Sequence, residues 1–117
     1  MLHAGPALKL TIHLNNDTGS ARGFLYEDIL ALLAERGISG ATVLRGHAGF
    51  GAHRKLHLGG AGDVAGEHLP IQIYVVDEVE KVESILPDLM AMVTDGLVEM
   101  HPTQVVKNIT TAEKVLS

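Results

Sequence analysis

The chain carries 117 residues, 46% of them hydrophobic, and a net charge of −5. That is one domain with enough apolar side chains for a single core, which excludes a disordered chain. The acidic balance and 3% aromatic content exclude a broadly basic nucleic-acid binder and a stacking platform for single strands, and the lack of cysteine excludes disulfides, thiolate catalysis and Cys-based zinc sites.

No apolar run approaches the ~18 residues of a membrane span, and the first ten residues lack the apolar centre of a signal peptide. The expectation is a cytoplasmic protein without direct membrane insertion. Residues 8–14 alternate without a fault: Leu8, Leu10, Ile12 and Leu14 face one way, Lys9, Thr11 and His13 the other. This predicts a half-buried strand. Residues 15–20 carry turn chemistry in Asn15, Asn16, Asp17 and Gly19. A helix follows over 23–36, with Leu25, Ile29, Leu32 and Leu33 on one stripe. Glu27 and Asp28 sit where the helix dipole favours acids, so they read as helix chemistry and not as catalytic groups. Gly37 closes the helix as a left-handed cap.

A second strand starts near Ala41, runs toward Gly51 and dissolves into a glycine-rich excursion. Residues 41–66 hold seven of the 13 glycines, with Arg45, Arg54, Lys55, His47, His53 and His57 among them. Glycine has the largest backbone entropy to lose, so the stretch 46–67 is expected to be a long flexible loop that a ligand could order. The chain resumes over 69–76, where Leu69, Ile71, Ile73 and Val75 share a face. Asp77 and Glu80 have the spacing of a capping box. The helix they open, over 78–93, carries Val79, Val82, Leu86, Leu89, Met90 and Val93 on one stripe. Pro87 lies inside it and predicts a kink or two abutting helices. Asp95 and Gly96 make a turn. A last strand over 97–106 contains Pro102, which predicts an edge or bulged strand. In the tail, 107–117, Thr110 and Glu113 could cap a short helix.

Strand, helix, strand, strand, helix, strand in one domain (1–117, core 8–106) predicts an α+β ferredoxin-like βαββαβ sandwich. Its antiparallel four-stranded sheet has both helices on one face and the long loop between strands two and three. The open face then carries Thr11, His13, Gln72, Tyr74 and Val76, with Leu44 or Val43 according to register. Such a semi-apolar face predicts a partner, most simply further copies of the chain.

Several local patterns point the same way. Lys9, Leu10, Thr11 and Ile12; Leu25, Tyr26 and Glu27; the run from Gly40 to Gly46; Gly49, Phe50 and Gly51; Leu69 and Pro70; Leu86 and Pro87; and the run from Asp95 to Val98 together resemble the PII-like signalling proteins. The similarity is to a branch of them known as a domain of unknown function. It implies a regulatory homotrimer that binds a small anionic ligand, an adenine nucleotide, in clefts between subunits. No cofactor is required, and the loop contacts a protein target such as a transporter or an enzyme. Carried over by motif, Gly49, Phe50 and Gly51 resemble the loop base, and Asp95 and Gly96 the turn that approaches the phosphates. Arg45, Gly46, Arg54 and Lys55 complete the implied ligand-binding set. Ala52 and His53 follow Gly-Phe-Gly where PII proteins carry Arg and Gln, and Leu97 stands where they carry Lys. These departures count against a triphosphate, while a mono- or diphosphate, a cyclic nucleotide, another anion and no ligand at all stay open.

Two other chemistries compete with this one. His53 and His57, at i and i+4, would share a face on a helix and could bind a divalent metal, the alternative function. An enzyme is not expected: no Ser-His-Asp arrangement or Walker loop is legible, and no helix follows Gly49 to Gly51 as a dinucleotide fingerprint would need.

Overall fold

The computed structural model describes residues 2–15, 18–20, 23–50 and 69–111. In chain order its elements are β1 (Gly5–Asn15), β2 (Gly19–Ser20), β3 (Gly23–Phe24), α1 (Leu25–Glu35), β4 (Ala41–Arg45), β5 (Pro70–Asp77), α2 (Val79–Met92) and β6 (Leu97–Val105). Four strands form one sheet in the order β4-β5-β1-β6, every pairing antiparallel. This is the expected ferredoxin-like sandwich.

The alternation in β1 explains its central place. Leu8, Leu10, Ile12 and Leu14 are buried and meet Ile71, Ile73 and Val75 of β5, Leu25, Ile29 and Leu33 of α1, and Val82, Ile85 and Leu89 of α2 in a single core. Burial of branched aliphatics on this scale is the dominant stabilising term, about 1.5–3 kcal/mol per side chain. Pro102 lies on β6, which among the described residues pairs only with β1, so its missing N–H removes no second ladder there.

The structure corrects several local expectations. The helix begins at Leu25 and not at Gly23, because Gly23 and Phe24 pair with Gly19 and Ser20 in the β2–β3 ribbon. Leu32 lies at the flank of the α1 stripe, outside the core cluster, with Leu25, Ile29 and Leu33 its true centre. On α2 the buried positions are Val82, Ile85 and Leu89. Met90 is 57% exposed, one position round the helix from Leu89. The helix runs unbroken through Pro87, so two abutting helices are excluded.

The capping box also fails. The N-cap of α2 is Glu78, with no side-chain cap, and Asp77 is the fully buried last residue of β5. Its carboxylate accepts from the Ser39 N–H at 2.7 Å and from the Glu78 N–H at 2.8 Å. Asp77 thus ties the turn after α1 to the start of α2. That turn is a Schellman motif: Ile38 N–H donates to Leu33 O, Gly37 N–H to Ala34 O, and Gly37 takes φ 75°. Lys81 Nζ donates to Gly37 O at 2.8 Å. The loop stretch from residue 51 onward, and any helix after 111, lie outside the described residues.

Candidate functional site

Strand register brings the two implied ligand motifs to one end of the sheet. Arg45, at the end of β4, is opposite Ile71; Pro70 is opposite Asn15; His13 is opposite Leu97. The loop base and the turn before β6 are therefore level. They are also on opposite edges, because β5 and β1 lie between β4 and β6. At ~4.8 Å per strand this separates them by ~14 Å across the sheet. Arg45, Gly46, Gly49 and Phe50 stand on the β4 edge, Asp95 and Gly96 on the β6 edge. Gly51, Arg54 and Lys55 lie outside the described residues, as do His53 and His57.

Two of these glycines have packing reasons of their own. A Cβ on Gly46 would sit 2.5 Å from Pro70 Cγ, and the Gly46 N–H donates to Pro70 O at 2.7 Å. That amide is spent on closing the loop base and is not available to an anion. A Cβ on Gly96 would meet His13 O at 2.7 Å and Leu14 Cδ2 at 2.7 Å, so only glycine lets the turn press against β1. Phe50, just past the loop base, is 67% exposed.

At the other end of β4 the structure holds an open cleft of about 620 Å³. Its lining includes Ser39, Gly40 and Thr42, Tyr74 and Val76 of β5, and Asn108 of the segment after β6. Asp77 holds the backbone of Ser39 in this lining. The sequence pattern alone did not reveal it. Its walls come from three stretches distant in the chain, and the run from Gly40 to Gly46 was legible only as part of the PII-like resemblance.

The open sheet face is the third feature. Register settles that Leu44, not Val43, points outward: Leu44 is 53% exposed and Val43 packs on the core. Across this face runs a polar row. Lys9 Nζ lies 5.4 Å from the Tyr74 ring centroid, Tyr74 donates to Gln72 Oε1, and Gln72 Nε2 donates to His13 Nδ1 at 3.2 Å. His13 then carries its proton on Nε2, 3.6 Å from Glu99 Oε1. That Nε2 is buried, and among the described residues it has no hydrogen-bond partner. Among the described residues no group of three or more His, Cys, Asp or Glu is placed to hold a metal ion.

A profile of the DUF190 family, described as an uncharacterized ACR, matches residues 7–105. The chain belongs to that family. Among the curated relatives of this DUF190 chain are two UPF0166 proteins of Aquifex aeolicus (strain VF5). One is 42% identical over 62 residues, 53% of this chain and 64% of the relative; the other is 28% identical over 81 residues, 69% of this chain and 75% of the relative. In solved structures the fold of this DUF190 chain recurs in CPII, a nitrogen regulatory PII-like protein from Thiomonas intermedia K12 bound to ADP, AMP and bicarbonate. The TM-score is 0.61 at 24% identity, covering 86% of this chain and 94% of that one. A Thermus thermophilus chain described as PII-like signalling gives a TM-score of 0.63 at 17% identity, covering 90% and 94%. At these identities the likeness establishes the PII-like fold. Among the described residues no helix is long and apolar enough to cross a membrane.

Proposed function

We propose that this DUF190 protein is a PII-like, non-enzymatic regulator. It acts in the cytoplasm as a homotrimer and binds an adenine nucleotide between copies. The stretch between β4 and β5 reports occupancy to a protein target, such as a transporter or an enzyme. The observation that carries the reading is the placement of Arg45, Gly49 and Phe50 on one sheet edge and Asp95 and Gly96 on the other, level with each other. One copy cannot close both edges on a small ligand, but the β4 edge of one copy beside the β6 edge of the next can. Arg45 then supplies charge, with Arg54 and Lys55 of the loop, and Gly46 and Gly51 set the backbone approach.

The open face supports the assembly. Outward Leu44, Tyr74 and Val76 make it semi-apolar, the kind of face that a further copy could cover. ADP and AMP bound to CPII support the ligand class. A ligand that prefers the ordered loop shifts the loop's population by its differential affinity, which is all the switch requires.

Thermal unfolding of the full chain with AMP, ADP and ATP, beside light-scattering mass, tests this. Saturating nucleotide at one hundred times Kd should stabilise by about 2.7 kcal/mol. A monomeric mass, or no shift with any of the three, overturns it.

A further inference from the structure

The polar row on the open face is packed down on the sheet. Thr11 alternates with the core residues Leu10 and Ile12, so it lies on that face, yet it is only 3% exposed. Register sets it between Tyr74 of β5 and Glu99 of β6, two members of the row. The row also has a single direction. Tyr74 donates to Gln72 Oε1, Gln72 Nε2 donates to His13 Nδ1, and the remaining His13 proton sits on Nε2 beside Glu99 Oε1. A second proton on the imidazole goes to Nδ1 and turns that acceptor into a donor facing the Gln72 NH2. Turning the amide over removes the conflict: Oε1 then accepts from His13, and Nε2 donates to the Tyr74 oxygen. The Tyr74 proton, displaced from Gln72, has to point out of the row.

We propose that this row is a switch of hydrogen-bond polarity set by one proton. Taken up from solvent by His13 on β1, that proton reverses the Gln72 amide and turns the Tyr74 hydroxyl on β5 outward as a donor. Imidazole suits the task, since histidine is the side chain that changes charge between about pH 5 and 8. The titratable or charged groups on the same face are Lys9 of β1, Tyr74 of β5, and Glu99 and His101 of β6. From β4 come Thr42 and Leu44, which carry no charge, and Asp95 stands in the turn before β6. Glu99, at 3.6 Å, supplies the counter-charge to the imidazolium. Lys9 lies over the Tyr74 ring, 5.4 Å from its centroid, outside the chain of donation. Before protonation the Tyr74 oxygen offers the face an acceptor; afterwards its hydroxyl offers a donor. A copy covering this face, as in the assembly proposed above, meets one surface or the other according to pH.

Nuclear magnetic resonance titration of the isotope-labelled full chain from about pH 8.5 to about pH 5 tests the switch, and its signals come from single groups whether or not copies associate. At the alkaline end His13 should carry its proton on Nε2. On acidification the Gln72 amide and Tyr74 ring signals should shift with the midpoint of the His13 nitrogens. Gln72→Met removes the link, so His13 should still titrate while the Tyr74 shift is lost. Tyr74→Phe should leave the Gln72 amide following His13, and His101→Asn, which removes the other imidazole of the face, should change none of this. Three results overturn the proposal: a neutral His13 protonated on Nδ1, wild-type Gln72 and Tyr74 signals that ignore the His13 midpoint, or a Tyr74 shift that persists in Gln72→Met.

Discussion

Asp77 is the residue on which the two halves of the fold meet. Both oxygens of its carboxylate are committed to backbone N–H groups, one on either side of the junction between the α1–β4 turn and α2. Removing the carboxylate leaves two part-buried donors without their partner, at about 1 kcal/mol each. Asp77→Ala should therefore lower unfolding free energy by roughly 2 kcal/mol or more, and Asp77→Asn by less, since one oxygen survives. Urea denaturation of both variants checks the order; equal, small losses would contradict it. Three glycines provide a matching comparison. Gly46→Ala drives a methyl into Pro70 and should destabilise markedly, Gly37→Ala should cost about 1 kcal/mol from its left-handed φ, and Gly40→Ala should be close to neutral. A Gly40→Ala variant as unstable as Gly46→Ala would show that Gly40 has an internal role.

At the scale of elements, α2 is a helix that packing holds against its own sequence. Pro87 removes a backbone donor from its third turn, yet Val82, Ile85 and Leu89 keep one buried line on either side of it. The apolar stripe stabilises by more than the proline costs, so the helix stays whole. Pro87 itself is exposed, so Pro87→Ala should raise stability by about 1–3 kcal/mol without disturbing the core. A melting temperature that falls instead would mean that the proline sets a bend the sheet needs. The edge strands behave as their sequences suggest. β6 tolerates Pro102 because, among the described residues, only β1 bonds to it, and β4 is short, five residues before Gly46 turns the chain against Pro70.

For the whole molecule, the proposed assembly rests on the open face of the sheet. Leu44 is the exposed aliphatic on its β4 side, in register with Gln72 of the polar row. Leu44→Glu places a charge where the proposed contact would bury it, and should lower the molar mass seen by light scattering while leaving the circular dichroism of the fold unchanged. An unchanged mass with this variant would move the assembly surface elsewhere. Loss of assembly should carry loss of nucleotide affinity with it, because the two edges of the proposed site belong to different copies.

The order of the four sheet strands and two helices, the inward faces of β1 and β5 and the edge position of β6 were legible in the sequence; the β2–β3 ribbon was not. Each follows from a local period of apolar residues or from the missing donor of a single proline. The family was legible too, because short motifs survive as strings. Tertiary structure alone decided which of Val43 and Leu44 faces outward, since a strand of that composition can sit in either register until Gln72 and Ile73 choose. It moved Asp77 from a helix cap to a buried clasp, because Ser39 is distant in sequence and adjacent in space. It also brought Gly40 and Asn108 into the lining of one cleft, because the segment after β6 passes Leu2 at the start of the chain, and no periodicity encodes that.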